Sequence, residues 1–165
     1  MATLNEKMQE ALNEQINAEL YSAYLYLAMA AYFDSANRHG MAQWMKAQFQ
    51  EERKHAMRLY EHVNERGGRV RLRAIQAPPM EWASPLAAFQ AAYQHEQKVT
   101  GLINELVRLA RQEGDGEAEA HLQWFVREQE EEEESADGVV QKLKRAEGSA
   151  QELERLDREL GQRQA

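Results

Sequence analysis

Four stretches of this chain repeat their inward residues every three or four positions, each for about 28 residues, and that periodicity fits long amphipathic helices packed on one another. In the first, Met8, Leu12, Gln15, Glu19, Ser22, Tyr26, Met29 and Phe33 share one stripe. Thr3-x-x-Glu6 before it reads as a capping box, and the stripe runs to roughly Asp34. Residues 35–40 break it. The second stripe is Met41, Met45, Gln48, Glu52, His55, Leu59 and His62, ended by Gly67-Gly68. Ser84-Pro85 is an N-cap followed by proline at the first helical position. It opens the third stripe: Leu86, Phe89, Tyr93, Glu96, Thr100, Ile103, Val107 and Ala110. Gly114-Asp115-Gly116 separates that from Leu122, Phe125, Gln129, Glu132, Ala136, Val139 and Leu143. A fifth, short helix follows Ser149, with a second capping box to Glu152 and the narrow stripe Leu153, Leu156 and Leu160.

A helix of this length is ~42 Å long. Short joints after the first and third helices make antiparallel hairpins. The connection over 67–83 holds Pro78-Pro79, has no helical period, and stretches to ~55 Å, enough to run the bundle's length. The expected fold is all-α: a four-helix bundle with one long crossover between helices two and three, plus a short fifth C-terminal helix. The expected domain is single, 1–165, with the bundle over 4–146 and the last helix at about 149–162.

Charge and composition exclude several classes of function. Asp plus Glu number 28 against 20 Lys plus Arg, a formal charge of -8, which disfavours nucleic-acid binding. With no cysteine, disulfides, zinc ribbons, iron–sulfur clusters and thiol nucleophiles are excluded. The N-terminus lacks the basic and apolar regions of a secretory signal, and no apolar run approaches the ~18 residues of a membrane span. No membrane partner and a cytoplasmic location are the expectation.

The informative residues are those that interrupt the apolar stripes. Glu19, Glu52, His55, Glu96, Gln129 and Glu132 each lie near the middle of their own helix, so an aligned bundle brings them to one height. Lone buried carboxylates are costly and are tolerated when paired or when they coordinate metal. Four carboxylates in one core raise one another's pKa values, and a pair of divalent cations resolves the repulsion. Carboxylate oxygen with one imidazole suits iron or manganese.

Each of these features has a plainer reading. A charge run such as 128–134 is usually a solvated face. Yet seven consecutive helical residues circle the axis nearly twice at about 3.6 per turn, so some face inward. Gln129 and Glu132 are those residues, leaving Glu130, Glu133 and Glu134 to solvent. Glu52-x-x-His55 alone is weak, because any i,i+3 pair shares a face. Tyr26 reads as core packing unless a metal lies beside it. His62 reads as structural. Met8, Met29, Met41 and Met45 read as core filling.

Four segments, one per helix, carry a specific resemblance: Asn13-Glu14-Gln15-Ile16-Asn17-Ala18-Glu19-Leu20-Tyr21-Ser22, Gln50-Glu51-Glu52-Arg53-Lys54-His55, Tyr93-Gln94-His95-Glu96-Gln97 and Leu122-Gln123-Trp124-Phe125-Val126-Arg127-Glu128-Gln129. On them the chain resembles the non-haem ferritins of bacteria and archaea, within the ferritin-like di-iron family, over essentially its whole length. The resemblance implies an intrasubunit ferroxidase centre. Glu19 and His55 would hold the first iron and Glu96 the second, with Glu52 bridging. Gln129 would lie beside the second iron, as ligand or hydrogen-bond donor. A third iron site would fall on Glu51, Glu128, Glu131 and Glu132, with Glu132 shared with the second. Tyr26 would be an electron donor near the centre. Bacterioferritins have a second Glu-x-x-His on helix four, where this chain has Gln129 and Glu132. Their haem-binding methionine follows the bridging glutamate, and that position is Arg53, so no haem is expected. Rubrerythrins need a cysteine-ligated iron that this chain cannot supply.

The implied reaction is oxidation of Fe(II) by dioxygen or hydrogen peroxide, with ferric oxide deposited inside a homo-oligomeric cage, typically of twenty-four subunits. The alternative is an iron-sequestering structural cage subunit with slow or no ferroxidase activity, for which Gln129 in place of a carboxylate is the argument. Mini-ferritins that protect DNA place their ligands at a dimer interface and lack the fifth helix. In cages the fifth helix lines four-fold contacts, often with apolar faces, whereas here it is mostly polar.

Overall fold

A computed structural model describes residues 3–164. Met1, Ala2 and Ala165, part of the expected 1–165 domain, lie outside the described residues, and so do the first two residues of the segment expected to lack a secretory signal. Among those described there are five helices and no strand: α1 (Glu6–Ser35), α2 (His39–Glu65), α3 (Pro85–Gln112), α4 (Gly116–Ala146) and α5 (Ala150–Leu160). The all-α bundle, its long crossover and its short last helix are as expected.

Local chemistry explains most boundaries. Ser84 caps α3 by accepting the Ala87 N–H at 3.1 Å, and Ser149 caps α5 by accepting the Glu152 N–H at 3.2 Å. Asp115 accepts the Ala118 N–H at 3.0 Å at the start of α4. Gly67 and Gly114 take left-handed φ values of 75° and 66° where α2 and α3 end. The start of α1 differs from expectation. Its cap is Asn5, whose side chain accepts the Met8 N–H at 2.8 Å, and not Thr3. The reason is Leu4: it is buried, and its N–H donates to the Arg66 carbonyl, so the chain stays extended until it has passed the end of α2. The joint between α1 and α2 is also shorter than expected, only residues 36–38, because Asn37 turns the chain with φ 58°.

The crossover runs alongside α1, in the same direction. Near its beginning Asn13 accepts from the Arg71 N–H and donates to the Arg69 carbonyl, and Arg73 meets Glu10. Near its end the Trp82 ring packs edge-on against Tyr32, 5.5 Å between centroids. It thereby carries the chain from one end of the bundle to the other and delivers α3 beside the far end of α1.

Two apolar clusters fill the bundle. Tyr26, Met29, Phe33, Met41, Met45 and Phe89 lead one, and Met8, Leu12, Ile16, Leu59, Ile103 and Phe125 the other. Leu156 and Leu160 anchor α5 on the first cluster, with Leu153 half-buried beside them. Gly40 makes that docking possible, since a Cβ there would sit 1.7 Å from the Asp157 carbonyl oxygen. Asp157 also accepts the Met41 N–H at 2.8 Å, capping α2 from 116 residues away in sequence. No helix among the described residues is long and apolar enough to cross a membrane.

Candidate metal centre

Between the two apolar clusters lies a polar level. Each long helix contributes to it from its middle turns, and the side chains are there because the same periodicity that buries Met and Leu also buries them. Glu19, Glu52 and His55 are fully shielded from solvent, and Glu96 and Gln129 nearly so; Glu132 is buried as well. Ligand atoms of Glu19, Glu52 and His55 lie within 4.8 Å of one another, and so do those of Glu52, Glu96 and Glu132. Glu52 belongs to both groups. A third group, Glu51, His55 and Glu128, meets the same criterion on the half-buried side of His55.

Hydrogen bonds order the centre. His55 Nδ1 is 3.1 Å from Glu52 Oε2, and its Nε2 is 3.8 Å from Glu128 Oε1. The Tyr26 hydroxyl donates to Glu96 Oε2 at 2.5 Å. Gln129 Nε2 donates to the Glu96 carbonyl at 3.1 Å and meets the Thr100 hydroxyl at 3.2 Å. Gln15 donates to Glu19 Oε1 at 3.3 Å, and Gln48 to Glu52 Oε1 at 3.2 Å and to Glu132 Oε2. Among the residues of this level, three buried atoms nonetheless lack a hydrogen-bond partner: Glu19 Oε2, His55 Nε2 and Gln129 Oε1. Native cores rarely leave such atoms orphaned, and unpartnered lone pairs among buried carboxylates are what a cation would satisfy.

The electrostatics point the same way. Burial, and then the neighbouring Glu52 carboxylate, pushes the Glu19 carboxyl well above its ordinary range. Burial followed by Glu96 and Glu132 does the same to Glu52. Burial raises Glu96, against hydrogen bonds from Tyr26 and Gln129 that pull it down. Glu132 is pushed up to about 8 by burial and Glu96. Burial and Glu96 raise the Tyr26 phenol well above 10. A cluster of acids this strained relaxes when divalent cations replace its protons.

The residues singled out from the sequence divide by position. Glu19, Glu52, His55, Glu96, Gln129 and Tyr26 meet at one level. Glu132 joins the inner group through Glu52 and Glu96, while Glu51 and Glu128 sit with His55. Glu131 is exposed and in none of the three groups. Glu130 and Glu134 are exposed, whereas Glu133, read as solvated, is half-buried and accepts the Thr100 hydroxyl proton at 2.5 Å. Arg53 is exposed and donates to Gln50. His62 is buried in a stack with His121, 4.2 Å between ring centroids, away from the centre.

Gln15 and Gln48, inward residues of the first two stripes, prove to be hydrogen-bond partners of the buried acids. A signal existed: each precedes a stripe glutamate by four residues, the spacing at which helical side chains meet. Arg163, which reaches Gln48, carried no local signal.

Comparison with known proteins gives one answer. The Ferritin-like domain family matches residues 9–146. The bacterial non-haem ferritin of Bacteroides fragilis strain 638R is 43% identical over 97% of this chain and 99% of its own length. That of Staphylococcus aureus strain USA300 is 36% identical over 97% and 96%. An open-pore ferritin from the hyperthermophilic archaeon Archaeoglobus fulgidus superposes with a TM-score of 0.97 at 54% identity, covering 98% of this chain and 100% of that one. A closed form of the same archaeal ferritin, engineered by site-directed mutagenesis, gives 0.97 at 55%, over 98% and 99%. A buried level of acids on four helices and full-length likeness in sequence and shape carry the same conclusion: this chain belongs to the ferritin family of iron-storage proteins.

Proposed function

We propose that the chain is a ferroxidase subunit of an iron-storing cage. The observation that carries this reading is Glu52, a carboxylate common to two buried ligand groups and therefore able to bridge two ions. Glu19 and His55 complete one position. Glu96 completes the other, beside Gln129, which donates to Glu96 and whose buried Oε1 has no hydrogen-bond partner. Fe(II) is the substrate. Two Fe(II) ions each give one electron, and dioxygen takes both with two protons to become hydrogen peroxide. When hydrogen peroxide is the oxidant, the two electrons cleave its O–O bond to two hydroxides. Ferric ion is then released to a mineral in the cage cavity.

The chain's own groups divide that work. Carboxylates surrender their protons as cations bind and hold the charge of the ferric product. Tyr26, bonded to Glu96, stands where it can pass its proton to that carboxylate and supply one further electron, which with one from a third Fe(II) reduces the peroxide to two hydroxides. Glu51 and Glu128, with His55, form an outer group for a third iron, on the side where the glutamate run reaches solvent. Glu131 and Glu132 extend that route. A homo-oligomeric shell of twenty-four subunits, in the cytoplasm and without haem, completes the proposal.

The test adds Fe(II) aerobically to the metal-free protein and follows ferric absorbance. Glu52→Ala and His55→Ala are expected to slow the fast phase by about a hundredfold. Oxidation at the wild-type rate in both would refute the centre. A uniformly slow wild type that still retains iron would instead favour the sequestering subunit. Sizing across salt concentrations tests the shell, and a monomer at every salt would remove the storage role.

A further inference from the structure

We propose that Arg163, in the segment after α5, is a positioning residue for the metal centre, acting through Gln48 on Glu132 and Glu52. The ligand role of those two acids rests on the reading above.

Gln48 is fully buried, and its amide has chemically opposite ends. Arg163 Nη2 donates to Gln48 Oε1 at 2.9 Å. A guanidinium can only donate, so the oxygen end must face it. The Nε2 end is then committed to the acids, where it donates to Glu52 Oε1 at 3.2 Å and to Glu132 Oε2. Arg163 is itself fastened to α2. Its Nη1 reaches the Trp44 carbonyl at 3.4 Å, its cation lies 4.4 Å from the centroid of the Trp44 ring, and its own carbonyl accepts from Gln43 at 3.1 Å. The segment after α5 thus lies against α2 at Arg163 and joins the hydrogen-bond relay to the centre.

Without the guanidinium the Gln48 oxygen loses its donor, and only the two acids hold the amide in place. Turned over, the amide presents its oxygen to two carboxylates, removes two donors and adds repulsion. Glu132 is the ligand most exposed to that change. It belongs with Glu52 and Glu96 and takes a hydrogen bond from Gln48, so the relay holds it at the inner group. Outer partners of metal ligands act in this way, by fixing orientation and basicity.

The experiment titrates the metal-free assembled protein with Zn²⁺ by calorimetry. Zn²⁺ is redox-inert, so the result stands whether or not the protein oxidises Fe(II). A wild type that binds Zn²⁺ but fails to oxidise iron overturns the ferroxidase reading and leaves this proposal intact. Arg163→Leu is expected to weaken the position that includes Glu132 by about tenfold and the Glu19–His55 position by no more than about twofold. Arg163→Lys, which still donates to Gln48 Oε1, recovers most of the loss. The double variant Arg163→Leu with Gln48→Leu is no weaker than Gln48→Leu alone, because the two residues act in one line. Wild-type Zn²⁺ affinity in Arg163→Leu overturns the proposal, and so do losses that add in the double variant. Should Arg163→Leu fail to fold, Gln48→Leu decides: unchanged affinity at the Glu132 position overturns the relay, and a tenfold loss supports it.

Discussion

Two polar layers are buried between α2 and α4, and their charges are balanced in opposite ways. At the end of α2, Arg66 meets Asp115 at 2.9 Å with side chains 4% and 8% exposed. Asp115 also caps α4, and Arg66 reaches Glu117 at 3.4 Å. The charges there close within the chain. About three to four turns earlier on α2, Glu52 and His55 face Glu19, Glu96 and Glu132, and the partners of these acids are amides, a phenol and the single His55 imidazole. One layer is a lock completed by folding. The other is left short of positive charge, and folding defers that cost to whatever cation arrives.

The largest effect contrasts the two layers directly. Arg66→Met takes the cation from the buried Asp115, leaving it only the Ala118 N–H, and is expected to cost about 3 kcal/mol, read as a lowered thermal or denaturant midpoint. Glu52→Gln in the metal-free protein is expected to act in the other direction. It removes one of four repelling acids and raises stability by about 0.5–2 kcal/mol while abolishing fast iron oxidation. Both variants destabilising the metal-free protein alike would erase the distinction.

A pH series refines the same contrast. Glu132 has its folded pKa raised to about 8 from an ordinary value near 4.5, and Glu19 and Glu52 shift in the same direction. Acids raised on folding give their full stability below the unfolded value and lose it as pH rises through the folded one. The metal-free midpoint should therefore fall between about pH 5 and about pH 8. Cation binding displaces protons, so the rise in midpoint on adding Zn²⁺ should grow over the same interval. A gain as large at the acid end as at the alkaline end would mean that the buried acids are not the ligands.

How much of this could be read from sequence follows from the range of each interaction. Ser84-Pro85, Ser149 and Gly67 declare helix ends through contacts within a few residues, and each marks one in the structure; of the Ser149-x-x-Glu152 box only the bond from the Glu152 N–H forms, since the Glu152 carboxylate pairs with Arg155. The inward stripe identified Glu19, Glu52, His55, Glu96 and Gln129 because helical phase is a local property. Phase does not identify a partner. Asn5 displaces Thr3 as the α1 cap because Leu4 binds at Arg66, a contact across 62 residues. Asp157 caps α2, and Arg163 reaches Gln48, only because Gly40 lets α5 fold back against α2. In each case the deciding neighbour is brought by the tertiary fold, and no local pattern announces it.

The smallest effect belongs to the histidines between the two layers. The His62 and His121 rings stack with 12° between their planes, and each Nε2 is buried without a hydrogen-bond partner. Burial, and then its neighbour His62, holds His121 down at about 4; burial lowers His62 too, and Arg66 adds to it. Their sign is the reverse of the acids'. A histidine depressed on folding costs nothing above its ordinary value of about 6.5, and its cost grows as pH falls through the folded pKa. His121→Phe keeps a flat ring against His62 and removes one of the two titrations. Acid unfolding followed by circular dichroism should then move to lower pH by a few tenths of a unit, with Zn²⁺ binding at neutral pH unchanged. An unfolding midpoint that stays put or moves to higher pH would show that the pair packs without sensing acid. A loss of Zn²⁺ binding would instead join these histidines to the centre, from which they lie about two helical turns away along α2 and α4.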